Sequence, residues 1–331
     1  MNDRVKIPRR AWIVLLLVGL VLLLFYADRH VLSLLKTTLA REFDMNNADY
    51  SLLVLGFMVP YTFMYLFTGR WADRWGIVVV APLAVLGMSA ASIVTSFSEG
   101  KWSLMGSRVL LGIAEAGIIP CTTIALMTWF PLERRAFVFA LKGPIQTLGP
   151  VFVPPFIAWI TLHMGWRPAF VLPGIFGLVV AWLWWTYCRN PPNYGEKNVQ
   201  NEAEPTSFRE VLNNPALRKI ILARVVTDPF WFFYLYWHPG FLQEKLGLSL
   251  TQAGRILWIP PVFDAVATII LGLLSDRLVA RGWFPAKARV RTLQLLACLA
   301  PCAFVLPFIN NVAVVIGLFA LIHFMCDGWI I

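Results

Sequence analysis

The amino-acid sequence predicts an all-α, polytopic membrane protein of about ten transmembrane helices, six before a polar linker and four after it. Three observations carry this expectation. Of the 331 residues, 59% are hydrophobic and 14% charged, whereas a soluble domain carries roughly a quarter charged residues. Apolar runs recur along the whole length, each long enough to cross a bilayer core of about 30 Å at about 1.5 Å per helical residue. A short glycine–aspartate–arginine pattern also returns once in each half of the chain. The net charge of +10 does not point to nucleic acid, because the Lys and Arg residues sit in short segments between apolar runs and not in a basic patch interleaved with aromatics.

The first element follows Arg4, Lys6, Arg9 and Arg10 and begins with an apolar stretch from Ala11 to Ala27. That stretch exceeds a signal-peptide core and is followed by no small-x-small cleavage site, so it reads as a retained helix over 11–36. Helices at 50–70 and 77–97 flank a charged turn at Arg70, Asp73 and Arg74, and a helix over 102–129 follows the polar turn at Glu99-Gly100-Lys101. The helix over 136–160 holds Gly143, Pro144, Gly149, Pro150, Pro154 and Pro155, which predict bends whose freed carbonyls need protein or water. A sixth helix spans 167–188. The stretch 189–218, with Asn190-Pro191-Pro192, Glu196, Lys197, Glu202, Glu204 and Pro205, reads as a cytoplasmic linker. Helices at 219–242, 251–274, 291–308 and 312–331 follow. The expected organisation is therefore 1–188 as an N-terminal six-helix bundle, 189–218 as linker and 219–331 as a partial C-terminal bundle.

Loop charge sets the orientation. With the N-terminus inside, nineteen Lys and Arg residues fall on the cytoplasmic side and six outside, leaving Arg29, Arg108 and Arg224 within helices. The positive-inside rule then puts the N-terminus in the cytoplasm of a multi-pass cell-membrane protein, the inner membrane if the source is bacterial. The repeat supports the division into halves. Gly69-Arg-Trp-Ala-Asp73-Arg74 after the second helix is echoed by Gly272-Leu-Leu-Ser-Asp276-Arg277 after the eighth, which is the sign of a transporter built from two parallel bundles. The five cysteines form no CxxC pair and the four histidines, His30, His163, His238 and His323, show no metal spacing. HExxH, GxSxG and nucleotide-binding glycine loops are also missing. An enzyme, a metal and a cofactor are therefore not expected.

The chain resembles the major facilitator superfamily through Gly69, Asp73, Arg74 and Gly76, which match its Gly-x-x-x-Asp-Arg-x-Gly turn. More narrowly it is similar to the anion:cation symporters and their hexuronate and sugar-acid branch. The residues that carry this are Tyr26-Ala-Asp28-Arg29, Arg108 with Gly112, Glu115 and Ala116, Gly165-Trp166-Arg167, and the run from Asp228 to Pro239. The resemblance implies a major-facilitator-type two-bundle fold with a complete six-helix N-terminal bundle and an incomplete C-terminal bundle, since that family has twelve helices and this chain stops inside the tenth. It also places a helix 10 histidine at His323.

Depth along the helices brings polar residues together. At about 1.5 Å per residue, Arg29 and Arg108 lie roughly 10 Å below the outer surface, Tyr26 and Tyr61 near the midplane at about 15 Å, and Glu115 and Gln146 about 20 Å down. Charges at such depths cost about 2.5–3.5 kcal/mol each on insertion scales and are expected to face protein or water. Arg29 and Arg108 are read as a fork for an organic carboxylate; the alternative is static pairing of Arg29 with Asp28 and of Arg108 with Glu115. Asp28 and Glu115 are the candidate proton carriers, since burial and a neighbouring guanidinium act on a carboxyl in opposite senses. Gln146 is suited to sugar hydroxyls, and Tyr234 and Trp237 in the aromatic run to a stacking surface or gate. Gly69, Asp73, Arg74, Gly272, Asp276 and Arg277 read as conformational latches. Asp264, membrane-embedded after Pro260-Pro261, has no evident partner in the sequence. The function expected is proton-coupled symport of a small organic anion, a hexuronate or aldonate, by a monomer in the lipid bilayer. Carriage or export of another, aromatic, carboxylate, or an inactive truncated transporter, are the alternatives.

Overall fold

The computed structural model describes residues 7–188 and 213–328, and these are helical without a strand among them. The helices are α1 (Arg9–Leu34), α2 (Lys36–Glu42), α3 (Asn47–Trp75), α4 (Ile77–Ser96), α5 (Lys101–Glu115), α6 (Ile118–Trp129), α7 (Leu132–Met164) and α8 (Pro168–Tyr187). After the linker region come α9 (Pro215–Glu244), α10 (Leu250–Ile256), α11 (Ile259–Ala280), α12 (Pro285–Ala297), a 3₁₀ segment (Ala300–Phe308) and α13 (Val312–Gly328).

Among the described residues, eight helical spans are long and apolar enough to cross a membrane. Three of them are interrupted: Lys101–Trp129 combines α5 and α6, Leu250–Ala280 combines α10 and α11, and Val290–Phe308 runs from α12 into the 3₁₀ segment. Two further segments expected from the sequence are also helical, the more highly charged α9 of 30 residues and the shorter apolar Val312–Cys326. The helix expected from 219 starts earlier, at Pro215, a residue pre-set for a first helical turn. Most of the proposed linker, residues 189–212, lies outside the described residues.

Local chemistry fixes the helix ends. The Asn46 side chain accepts the Ala48 and Asp49 amides at 2.8 and 2.9 Å while the Asp49 carboxylate accepts the Asn46 amide at 3.2 Å, a reciprocal cap that starts α3. Asp49 also accepts Lys101 Nζ at 2.9 Å, tying the starts of α3 and α5. Gly76 between α3 and α4 has φ of 76°, a backbone state that a side chain would disfavour.

The chain divides into two compact units, Met1–Tyr194 and Gly195–Ile331. Within the first, α1 packs on α6, α7 and α8, α4 packs on α5 and α8, and α3 packs on α5. The α3–α5 contact is backbone-close at Gly112, where a Cβ would collide with the Phe57 carbonyl oxygen, the small-residue device of membrane helix packing. Trp184, Phe57, Phe130 and Phe170 are fully buried there. Within the second unit, α11 packs on α12 and α13, and α9 on α10 and α13. Its core is a smaller cluster of Ala267, Leu271, Leu296 and Met325.

Candidate functional site

Asp28 and Arg29 are consecutive on α1, so their side chains leave the helix about 100° apart and enter different surroundings. Arg29 turns toward α3 and α5. Its Nε and one terminal nitrogen donate to Glu115 Oε2 at 3.2 and 3.1 Å, and the two side chains are 3% and 0% exposed. The guanidinium lies over three rings, 4.1 Å from the Phe25 centroid, 5.1 Å from Phe57 and 4.8 Å from Tyr61. Phe57 and Tyr61, one turn apart on α3, stack on each other at 5.5 Å. Aromatic faces attract a cation, and the Tyr61 side chain also hydrogen-bonds the guanidinium, so the cradle holds Arg29 beside Glu115.

Glu115 is the last residue of α5, where the span breaks at Ala116-Gly117 before α6 resumes. Thr68 of α3 anchors the break by donating to the Ala116 carbonyl at 3.0 Å. The second carboxylate oxygen of Glu115, Oε1, is buried with no hydrogen-bond partner among the described residues. A buried ion pair with one oxygen unsatisfied is weak evidence for stability and is the kind of group a ligand or proton can engage.

Asp28 faces the other way, into α4. It accepts Ser92 Oγ at 2.8 Å and is 2% exposed. Arg108 of α5 donates to Thr95 Oγ1, Thr95 bonds Ser107 Oγ at 3.0 Å, and the Arg108 guanidinium sits 5.4 Å from the Phe170 ring centroid. The two arginines expected to form one fork thus have different immediate neighbours, Arg29 in the aromatic cradle and Arg108 against hydroxyls of α4.

The static pairings considered from sequence, Arg29 with Asp28 and Arg108 with Glu115, are replaced by Arg29 with Glu115. The reason is geometric. Neighbouring residues on a helix do not face each other, and seven residues put Glu115 about 10 Å along the axis from Arg108, whereas the end of α5 faces Arg29 directly.

Gln146 reaches Tyr26, its Nε2 lying 3.5 Å from the hydroxyl, and Tyr61 belongs to the Arg29 cradle. Asp73 and Arg74 are exposed near the end of α3, with Gly69 half-buried one turn earlier. In the second unit Asp276 and Arg277 are exposed near the end of α11, with Gly272 half-buried. Tyr234 is buried and meets the Phe319 ring edge-on at 5.7 Å; with Phe230, Thr227 and Gln294 it lines an apolar groove of about 740 Å³. Trp237 stacks on Phe233 at 6.1 Å.

Several polar contacts escaped the sequence reading. Asp264 has a partner, since both its oxygens lie 3.1 Å from His323 Nδ1. His238 is 5% exposed and stacks on Phe319 at 3.6 Å. Lys36 is buried, with Nζ 5.3 Å from the Tyr50 ring centroid. Ser92 and Thr95 carried a usable signal, hydroxyls at every third residue from Ser89 to Thr95 on a largely apolar helix. Among the described residues no group of three or more His, Cys, Asp and Glu side chains could hold a metal ion.

The family model described as Major Facilitator Superfamily matches residues 17–331. Similar proteins include a D-galactonate transporter of Escherichia coli O6:H1, 25% identical over 96% of this chain and 79% of the relative. The probable galactarate/D-glucarate transporter GarP of Escherichia coli K12 is 23% identical over 98% of this chain and 80% of its own length. The hexuronate transporter of Escherichia coli K12 is 25% identical over 84% and 68%. Among solved structures, a bacterial homolog of the human lysosomal transporter Spinster, inward-facing and unoccupied, superposes with a TM-score of 0.78 at 20% identity, covering 97% of this chain and 74% of that one. That similarity concerns the fold.

Proposed function

The chain belongs to the major facilitator superfamily, and from that premise we propose that it is a secondary active transporter of a sugar acid, a hexuronate or aldonate, carried with protons by alternating access. The observation that carries the reading is the buried Arg29–Glu115 pair in its aromatic cradle. A guanidinium held by one internal carboxylate is a ready receptor for an external one, because the planar fork recognises either. Protonation of Glu115 releases Arg29, and the substrate carboxylate takes its place, so that proton and anion enter the site together. Arg108 and Asp28, buried in the same unit, supply the second positive charge and the second proton site. Tyr26, Tyr61 and Gln146 offer hydroxyl and amide contacts to sugar hydroxyls; in the second unit, taken by itself, Tyr234 and Trp237 are the proposed aromatic substrate contacts. The names of the similar proteins, transporters of galactonate, glucarate and hexuronate, favour this substrate class.

The division into an N-terminal bundle at 1–188, a linker at 189–218 and a C-terminal part at 219–331 belongs to the same proposal. So do the cytoplasmic N-terminus and the latches Gly69, Asp73 and Arg74 with Gly272, Asp276 and Arg277. The test is uptake into liposomes by the purified chain, with D-galactonate, D-glucuronate and D-glucarate offered separately under an imposed pH gradient. Arg29→Ala abolishes uptake. Arg108→Lys, which keeps the charge and loses the fork, weakens binding tenfold or more in calorimetry. Asp28→Asn and Glu115→Gln retain exchange of substrate but no longer accumulate it; if both variants still concentrate substrate, the proton path lies elsewhere.

A further inference from the structure

Ser92 is placed between two acceptors and has one proton to give. Its Oγ lies 2.8 Å from Asp28 Oδ1 on α1 and 3.0 Å from the Phe170 carbonyl oxygen in the first turn of α8. A serine hydroxyl is one donor with two acceptor lone pairs, so a full hydrogen bond to one acceptor is made at the expense of the other. Ser92, Asp28 and Phe170 are 0%, 2% and 0% exposed, and at such burial the arrangement of donors is decided by the three groups themselves.

We propose that Ser92 is a positioning residue that carries the protonation state of Asp28 to α8 by switching its hydroxyl proton between the Asp28 carboxylate and the Phe170 carbonyl. With Asp28 ionised, the Ser92 O–H donates to the carboxylate and the Phe170 carbonyl goes without that donor. When Asp28 takes a proton, its own O–H donates to Ser92 Oγ, the Ser92 proton turns away, and the serine donates to the Phe170 oxygen. One proton is gained from solution, one hydroxyl rotates and no covalent bond to carbon changes.

The receiving residue makes the switch consequential. The Phe170 ring lies 5.4 Å from the Arg108 guanidinium and meets Trp166 edge-on at 6.0 Å. A change of donor at its carbonyl acts on the turn that presents this ring to Arg108. Arg108 is in turn held by Thr95, one helical turn beyond Ser92 on α4, so α4 contacts both members of the buried Asp28 and Arg108 set through hydroxyls spaced by three. The groups that act on Asp28 come from several elements. Arg108 and Glu115 lie on α5 and Arg29 on its own helix; α4 and α8 present the Ser92 hydroxyl and the Phe170 carbonyl. On α7, also packed on α1, Gln146 is directed to Tyr26 and Lys142 to Thr123 of α6, at 3.5 and 3.3 Å.

The inference rests on Asp28 exchanging a proton, and the experiment separates the two ideas. Infrared difference spectra between high and low pH are recorded on the full chain in lipid nanodiscs, for the parent protein and for Asp28→Asn, Ser92→Ala and Ser92→Cys. The expected result is a protonated-carboxyl band lost in Asp28→Asn and moved to higher wavenumber in Ser92→Ala, where the acid O–H has lost its acceptor. Ser92→Cys, close in volume and a weaker partner, moves it the same way by less, and carries the test if the alanine variant does not fold. Carbonyl-13C phenylalanine labelling adds an amide-band change that follows Asp28 in the parent and is lost in Ser92→Ala. An Asp28 band unmoved in both serine variants overturns the switch while leaving the proton carrier intact. No Asp28 band at any pH overturns both.

Discussion

Among the described residues, α1 and α9 are the first helices of their compact units, and each carries an aspartate and an arginine, but they treat them in opposite ways. On α1, Asp28 and Arg29 are 2% and 4% exposed and find their partners on α4 and α5. On α9, Arg224 and Asp228 pair with each other at 3.2 Å across one turn, with side chains 42% and 46% exposed. The first pairing is enforced by several helices enclosing α1; the second needs only the spacing of the residues. An enclosed charge has its partner chosen by the fold, and an exposed one settles on a neighbour four positions away.

The comparison breaks most visibly if the enclosed pair proves dispensable. Glu115→Ala leaves Arg29 buried without its carboxylate and is expected to cost about 3–5 kcal/mol, read as a loss of thermal stability in detergent. The drop is smaller in Glu115→Gln, which keeps an acceptor. An unchanged melting temperature in Glu115→Ala would falsify the enclosure.

Next in size is the contact that brings the cradle together. Gly112→Ala drives a methyl group into the Phe57 carbonyl, and overpacking of this kind costs about 1–3 kcal/mol. It also displaces Phe57 from Arg29. At Gly272 on α11 an added Cβ would meet nothing within 4 Å, so Gly272→Ala has the opposite sign, a gain of about 0.5–1 kcal/mol from lower helix entropy cost. Paired unfolding measurements that give both substitutions the same sign would remove the distinction between the two units. Should Gly272 also serve as a latch, its alanine variant slows transport while unfolding later.

Asp264 and His323, with side chains 15% and 13% exposed, stand between the extremes. Asp264→Ala is expected to cost about 1 kcal/mol, the worth of a net hydrogen bond, and His323→Ala about the same, with the double variant no worse than either single one. Strict additivity in that cycle sets the pair aside. The smallest effect is expected at α9. Asp228→Ala changes stability by at most about 0.5 kcal/mol, the worth of a pair four positions apart on one helix; a loss as large as that of Glu115→Ala would mean that α9 is as enclosed as α1.

What the sequence by itself determined is set by the bilayer. Apolar length, charge-bearing turns and the repeated Gly69 and Gly272 motifs are local quantities, and they located ten helical segments, with ends up to six residues off within the described residues, because hydrocarbon thickness dictates their size. The same reasoning singled out Asp28, Arg29, Arg108 and Glu115, since charge in an apolar run is conspicuous against its neighbours. Only the tertiary structure decided who meets whom. Arg29 chose Glu115, 86 positions away, Asp28 chose Ser92, 64 away, and Asp264 chose His323, 59 away. These choices depend on how far each helix is rotated about its axis, and that rotation is set by close contacts such as Gly112 against Phe57. Composition and periodicity say which face of a helix is polar, while the packing of helices distant in sequence says what that face sees.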